Sequence, residues 1–289
     1  MKVLITGASG FIGNFTSQYL LDHNIEIVTL GRSKPENIKS EHIFFDLIAP
    51  DFIELSENNK LNNFDTIIHC SSVMADSTNL ESFKLLYDNI KMSESIVELS
   101  KTLKIKQLIN LSSFAIYPNT DGYYDELSQL DVSNNNDSIY GLSKICSENL
   151  YNFILGTKNK IKVVNLRISQ VYGKGMRSDR TYQIMLDELK EKNSITAFSN
   201  GERVSNFVPI DKVVKAIKFF LGSLNYTGAY NLGGENLTYK ELAQQLINQF
   251  GNQNSNLILL DRGVKSKFYL NTEKLDHLLG KYGQSVNNN

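Results

Sequence analysis

Tyr140 and Lys144, in the stretch "SIYGLSK", stand four residues apart. On a helix that spacing is one turn, so the two side chains share a face and their polar ends converge. Alone, such a pair is a solvated helix face; held in a cleft, it is an acid–base couple. A free tyrosine titrates near pH ~10, too high for proton transfer at neutral pH. Lowering it by about three units takes roughly 4 kcal/mol. One positive charge about 5 Å away supplies about 3 kcal/mol at an effective dielectric of about 20, and Lys144 is such a charge. Burial acts in the opposite sense, raising the tyrosine and disfavouring the lysine cation, so the lysine needs fixed acceptors.

A second pattern lies near the start. "TGASGFIG" sets Gly7, Gly10 and Gly13 after an apolar strand and at the mouth of a helix. A tight turn there aims backbone N–H groups and a helix N-terminus at a pyrophosphate, which side chains at those positions would block. The alternative is a merely structural strand-to-helix turn. The context, strand before and amphipathic helix after, favours the phosphate cradle.

The elements that must position these residues follow from periodicity. "KVLIT", "IEIVTL", "HIFF", "DTIIHC", "QLINLS" and "KVVNLRI" are short, rich in Ile and Val, and largely unalternated. Such runs suit parallel strands covered by helices on both faces. Helices are expected over Phe11–His23, Ser77–Lys104 and Ser138–Leu155, giving an α/β doubly wound parallel sheet. After Gly173 the rhythm changes to "RTYQIMLDELK", "DKVVKAIKFFL" and "YKELAQQLINQF", helices between short strands, which read as a smaller C-terminal lobe. The expected division is 1–168 for the dinucleotide domain, 169–283 for the substrate lobe, partly returning to the main domain, and 284–289 ("QSVNNN") as a disordered tail.

Composition bounds the partners. The chain has 289 residues, 41% hydrophobic and 21% charged, with a net charge of −1. Neither nucleic acid nor a membrane surface is expected from that balance. The two cysteines, Cys70 and Cys146, and the four scattered histidines form no metal spacing, so no metal is expected and both thiols read as reduced. With no leader before "KVLITGASG" and no apolar run of about 18 residues, the expectation is a cytoplasmic protein.

With its G-x-x-G-x-x-G turn and Y-x-x-x-K, the chain resembles the extended branch of the short-chain dehydrogenase/reductase family, which includes nucleotide-sugar epimerases, dehydratases and reductases. The resemblance runs from Met1 to about Asp211. "DTIIHCSS" is similar to the strand ending in H-x-A-A, and "YDNIKMSESIVE" to the helix with N-x-x-G-T, which puts Asn89 at the family asparagine. "LSSFAIYP" resembles S-S-x-x-V-Y-G, with Ser113 at the catalytic serine position; Asp125–Glu126 follow in order. "LRISQVYG" is similar to L-R-x-x-N-V-Y-G, and "NFVPIDKVVKAI" to the F-V-x-V-D-D-V segment of the small lobe.

The resemblance implies a Rossmann-type sheet and assigns roles. Ser113 would hold the substrate oxygen against Tyr140, which gives or takes the proton while hydride moves between substrate carbon and nicotinamide. Lys144 would bind the nicotinamide ribose, and an oxidised ring would add a second positive charge beside the tyrosine. Asn89 would hold the helix or a proton-relay water behind the lysine. Gly7, Gly10, Phe11, Ile12, Gly13, Asp46, Leu47 and Ser71 would contact the dinucleotide, with Asp46 on the adenine. His69 reads as a strand end rather than a catalyst.

Three departures shape the expected substrate and cofactor. Strand two ends in "VTLGRS", with Gly31 where an NAD-preferring chain has an acid and Arg32 directly after it. A guanidinium pairs with a 2′-phosphate that a carboxylate would repel, so NADP is expected, Ser33 and Lys34 adding to the pocket, with NAD as the alternative. The family's diphosphate-binding arginine falls at Ser205; Arg203, two residues earlier on the same strand face, is the expected substitute. Gln170 stands at the family asparagine. "LSSFAIYP" has Ser-Phe-Ala where a dehydratase has Thr-Asp-Glu, so dehydratase chemistry is not expected. The first reading is an NADP-dependent reductase of a 4-keto-6-deoxyhexose nucleotide. The alternatives are a nucleotide-sugar 4-epimerase that retains NAD, a dinucleotide-sensing regulator, and a reductase of a non-sugar carbonyl. By analogy the helices over Ser77–Lys104 and Ser138–Leu155 form a homodimer interface.

Overall fold

Runs of Ile, Val and Leu without polar alternation become strands buried on both faces. The computed structural model describes residues 1–56 and 62–286. It opens with β1 (Lys2–Thr6), α1 (Phe11–Asp22), β2 (Glu26–Gly31), β3 (Glu41–Phe44), α2 (Phe52–Ser56), β4 (Thr66–His69), α3 (Phe83–Thr102) and β5 (Gln107–Ser113). There follow β6 (Gly122–Tyr124), α4 (Ser138–Leu150), β7 (Lys162–Ile168), β8 (Gln170–Tyr172), α5 (Thr181–Lys192), β9 (Ser194–Phe198), β10 (Val204–Pro209) and α6 (Ile210–Phe220). The last part holds β11 (Gly228–Leu232), β12 (Glu235–Thr238), α7 (Tyr239–Phe250), β13 (Asn256–Leu260), β14 (Phe268–Leu270) and α8 (Glu273–Val286).

Seven strands form one sheet in the order β11-β7-β5-β4-β1-β2-β3, and every neighbouring pair is parallel. The order turns at β1, which lies between β2 and β4, and a crevice opens there beyond the carboxyl ends of the strands. This is the doubly wound α/β sheet expected from the sequence. The two faces draw on alternate residues. Val3 and Ile5 pack with Leu20 of α1 and with Val213, Ile217 and Phe220 of α6. Leu4 packs on the other side with Ile96, Val97 and Leu99 of α3. Full burial of each such side chain contributes about 1.5–3 kcal/mol.

A second body of structure is built from β8, β10 and β12 in one sheet and β9 with β13 in another. Met185 and Leu189 of α5, Phe207 of β10, and Leu242 and Leu246 of α7 fill its interior. The later chain then returns to the main sheet. β11 adds to the edge of β7, pairing Gly228–Leu232 with Val164–Ile168, while α6 and α8 contribute Ile217 and Leu275 to the main core.

Three sequence expectations are corrected. The helix expected from Ser77 begins at Phe83. Asp76 instead accepts from the Thr78 backbone (2.9 Å) and hydroxyl (2.6 Å), and Asn79 accepts from the Asp76 N–H (2.8 Å), local bonds that compete with a helical turn. The helix expected to reach Leu155 is α-helical to Leu150 and then widens into a π-helix over Tyr151–Lys158. The wider turn keeps Tyr151 and Leu155 wholly buried and brings the Asn152 side chain to Asn165 at 3.1 Å. Of the expected disordered tail, residues 284–286 continue α8 and 287–289 lie outside the described residues.

One buried polar network fixes the helix that carries Tyr140 and Lys144. Glu148, one further turn along α4, meets Arg167 of β7 with N–O distances of 2.9–3.3 Å. The side chains of Arg167 and Glu148 are only 7% and 5% exposed. The guanidinium also donates to the Tyr117 hydroxyl (2.9 Å) and the Glu126 carbonyl (3.2 Å). Tyr117 in turn donates to Asn231 of β11 (2.8 Å), whose own N–H donates to the Glu126 carboxylate (2.8 Å). Removing one charge strands the other in a low-dielectric interior. Glu148→Gln is therefore expected to lower the unfolding free energy by about 3–5 kcal/mol in urea titrations; a loss below about 1 kcal/mol would mean that water reaches the guanidinium.

Candidate active site

The turn after β1 is shaped by two close backbone approaches. Gly7 sits at φ +71°, and a Cβ there would stand 2.7 Å from the Ser71 nitrogen and 2.8 Å from the Cys70 carbonyl carbon. A Cβ on Gly13 would overlap the Gly7 carbonyl oxygen. The ends of β1 and β4 and the first turn of α1 close together only because those side chains are missing. Gly10 caps α1 with no side-chain bond of its own, leaving N–H groups of the first turn free of capping partners.

Beside this turn lies an open cavity of about 220 Å³. Gly7 and Gly10 form its floor, Arg32 and Ser33 follow from β2, Asp46 and Leu47 from the end of β3, and Ser71 from the end of β4. Every expected dinucleotide contact except Phe11, Ile12, Gly13, Lys34, Tyr140 and Lys144 lines it. Gly13 acts from beneath the turn. The side chains of Phe11 and Ile12 pack against the apolar core, Phe11 edge-on to Phe15 at 5.4 Å, while their backbone N–H groups belong to the first turn of α1. At Gly31 a Cβ would meet nothing within 4 Å, so the place of the usual acid is open space next to Arg32. A glycine floor, a helix N-terminus and a guanidinium at the far end fit a dinucleotide. His42, Phe45, Ser72 and Met92 also line the cavity and escaped the sequence reading. His42 was detectable in principle, since alternation along β3 sets it opposite the buried Ile43.

Tyr140 and Lys144 occupy the first turns of α4, 6% and 5% exposed. The lysine ammonium lies 5.5 Å from the tyrosine ring centre and donates to the Leu111 carbonyl of β5 at 3.1 Å. Ser113 ends β5, and its hydroxyl accepts from the Ala115 N–H (3.1 Å), starting a short 3₁₀ turn over Phe114–Ile116. Tyr140 packs against Ala115, Ala75 and Leu85. What brings α4 so near is Gly141, where a Cβ would overlap the Ala115 carbonyl oxygen. The sequence reading missed Gly141, although a glycine inside a helix costs stability and so asks for a reason.

Asn89 is engaged on the loop after β4. Its carbonyl oxygen accepts from the Val73 N–H (2.9 Å) and the Ser72 hydroxyl (3.1 Å), and its amide donates to the Val73 carbonyl (3.0 Å). It thus clamps that loop to α3. His69 bonds the Thr6 hydroxyl at 2.8 Å, and burial, aided by the Lys144 charge, pushes its imidazole down to about 3. Burial likewise pushes the Cys70 thiol up to about 12, against the opposing pull of Lys144. Both stand beside the lysine uncharged.

In the second body, Gln170 donates to the Ser205 hydroxyl at 2.7 Å, and Ser205 is buried. Arg203 precedes β10 and lies over the Tyr239 ring at 5.4 Å, so it turns toward α7 while the Gln170 amide is held by Ser205. Its Nε is buried with no partner among the described residues. Next to Gln170, Tyr172 stacks on Tyr182 of α5 with ring centres 4.4 Å apart in the wall of a cavity of about 160 Å³ that Glu235 and Gln245 also line. Among the described residues no helix is long and apolar enough to cross a membrane, and no three His, Cys, Asp or Glu groups are placed to hold a metal ion.

The profile of the NAD dependent epimerase/dehydratase family matches residues 3–233. A dTDP-4-dehydro-6-deoxyglucose reductase of Escherichia coli is 27% identical, over 84% of this chain and 80% of its own. An uncharacterized UDP-glucose epimerase of Bacillus subtilis is 25% identical, over 96% of this chain and 92% of its own. Among solved structures, the UDP-glucuronic acid 4-epimerase from Bacillus cereus in complex with NAD matches with a TM-score of 0.78 at 22% identity, covering 97% of this chain and 92% of the other. At that identity the likeness is one of fold.

Burial of neutral His69 has a pH consequence. Its pKa falls from 6.5 to about 3 on folding, so between those values the unfolded chain binds the extra proton and stability falls as the pH is lowered. The slope reaches at most about 1.4 kcal/mol per pH unit. Urea midpoints taken between about pH 7 and 5 should decline, and His69→Asn should show a shallower decline; equal slopes would mean that the imidazole titrates normally.

Proposed function

Because this chain belongs to the NAD dependent epimerase/dehydratase family, and so is an oxidoreductase/epimerase of the extended short-chain type, we propose that it is an NADP-dependent reductase of a keto sugar nucleotide of the 4-keto-6-deoxyhexose class, acting in the cytoplasm. The observation that carries this reading is the open place at Gly31 with Arg32 beside it in the cavity wall. A carboxylate there would repel a 2′-phosphate, whereas a guanidinium pairs with one. The reductase relative from Escherichia coli adds support.

Gly7, Gly10 and Arg32 would hold the dinucleotide, with Asp46, Leu47 and Ser71 along its adenosine and Lys144 at its nicotinamide end. Bound there, the nicotinamide supplies hydride to the substrate carbon. Ser113 orients the carbonyl oxygen by hydrogen bonding and Tyr140 gives it a proton, completing the alcohol. Lys144 offsets the negative charge left on Tyr140, and its own charge is steadied by the Leu111 carbonyl. Asn89 acts at one remove, by fixing the loop that carries Ser71 and Ser72. Gln170 and the cavity beside it would take the nucleotide portion, and Arg203 would join from the neighbouring strand end.

The second reading is a nucleotide-sugar 4-epimerase that retains NAD. It uses the same three catalytic residues, and the Bacillus subtilis relative carries that description. The sensing-regulator alternative falls with family membership. A second copy of the chain is proposed to cover α3 and α4, where Phe83 and Tyr87, one turn apart, are 67% and 62% exposed. Light scattering should return twice the 32.7 kDa chain mass, and a monomer would refute this.

The decisive measurement is the dinucleotide bound to freshly purified protein and its exchange rate. NADP that exchanges freely, followed by turnover of a 4-keto-6-deoxyhexose nucleotide, is expected; tightly retained NAD would establish the epimerase instead. In either case Tyr140→Phe should lower kcat by about 10²–10⁴-fold with dinucleotide affinity nearly unchanged. An active Tyr140→Phe enzyme would remove the tyrosine from the proton path.

A further inference from the structure

We propose that His42 is a second recognition group for the adenosine 2′-phosphate, engaged by protonation, so that the part of the preference for NADP over NAD that depends on His42 grows as the pH falls. The inference rests on the NADP reading and adds to it a residue on a different strand. His42 lies on β3, the edge strand, in register with Thr29 of β2. His42 lines the same cavity as Gly31, Arg32 and Ser33. The sequence places Arg32, Ser33 and Lys34 on one loop; only the pairing of β2 with β3 adds an imidazole to them.

The hydrogen bonds around the ring suit both of its charge states. Nε2 lies 3.2 Å from the Gly31 carbonyl oxygen. A carbonyl only accepts, so Nε2 carries its hydrogen whether the ring is neutral or charged. Nδ1 lies 2.9 Å from the Thr29 hydroxyl, which also stands 3.2 Å from the Glu41 carbonyl oxygen. In the neutral ring Thr29 donates to Nδ1. In the charged ring Nδ1 donates to Thr29, whose hydrogen swings to Glu41. No heavy atom needs to move, and no hydrogen bond is lost.

The electrostatic setting then decides the charge. In the free protein, burial lowers the His42 pKa; the Gly31 carbonyl opposes this and the nearby Lys34 charge adds to it. Arg32 lines this side of the cavity and Asp46 is the acid at its β3 end; Lys34 follows on the loop after β2, near enough for its charge to act on the ring. On its own strand the ring meets the uncharged Phe44 edge-on at 4.7 Å. A dianionic phosphate set against Arg32 reverses the balance. It attracts an imidazolium directly and offsets the Lys34 charge that opposed one. NAD carries a hydroxyl at that place and does neither. Binding the 2′-phosphate and protonating His42 therefore favour each other, by equal factors in each direction.

The test uses 2′,5′-ADP as probe and ADP as control, on the full chain. The four histidines are followed by NMR through a pH titration, and His42→Gln, which keeps an amide donor for Gly31, identifies the signal. Saturating 2′,5′-ADP is expected to raise the His42 midpoint by about one unit, and ADP to leave it in place. In binding titrations His42→Gln should weaken 2′,5′-ADP roughly three- to tenfold near pH ~6 and less than about twofold near pH ~8, with ADP unaffected. If 2′,5′-ADP binds more tightly than ADP but the midpoint does not move, or His42→Gln weakens both probes alike, the role of His42 is overturned and the NADP reading stands. If 2′,5′-ADP binds no more tightly than ADP, both are overturned.

Discussion

A guanidinium and a carboxylate sealed from water must stay paired, because the interior offers neither of them another partner of equal strength. Arg167 and Glu148 impose that requirement on four separate parts of the chain. The carboxylate comes from α4, the guanidinium from β7, the bridging phenol of Tyr117 from the segment after β5, and the closing amide of Asn231 from β11. Tyr140, Lys144 and Glu148 recur at intervals of one turn along α4, so the ion pair anchors the same face that presents the acid–base couple. Burial raises the Tyr117 hydroxyl to about 12, which keeps it a neutral donor throughout the range in which the site works.

Close backbone contact, rather than charge, sets the remaining geometry of the cleft. Gly7, Gly13 and Gly141 each mark a place where one backbone lies against another with no room for a methyl group. The first two close the cradle between β1, β4 and α1, and the third brings α4 onto the 3₁₀ turn beside Ser113. The two mechanisms are complementary. The ion pair resists sliding of α4 along the sheet, and the glycine contact fixes its height above the serine.

How much of this is legible in the sequence depends on whether a feature is local. Unalternated Ile and Val runs announce a buried parallel sheet, and the turn "TGASGFIG" carries its own context. The four-residue interval between Tyr140 and Lys144 likewise contains its geometry. What escaped depends on a partner far along the chain. His42 joins the cavity only through the pairing of β2 with β3, and Gly141 matters only because Ala115 lies opposite. Phe11 and Ile12 sit in the functional turn while their side chains pack against the core, a placement made by α6 and the sheet rather than by their neighbours. Arg203 shares a strand face with Ser205 on paper, but β10 begins at Val204, so the alternation that would aim it does not extend to it. The π-helical widening after Leu150 serves Tyr151, Leu155 and Asn152, whose partners all lie on other elements.

The late return of β11 to the main sheet has a consequence for how the molecule comes into being. By the end of β7 every side chain of the acid–base set has been made, yet β7 still has one edge unpaired, and Tyr117 still lacks Asn231. An exposed parallel edge invites association with other chains, and contacts this distant in sequence form slowly. The catalytic half of the polypeptide therefore waits for its last sheet strand, about sixty residues downstream, before its interior is closed. A nascent chain halted in that interval would be complete in its chemistry and open along its flank.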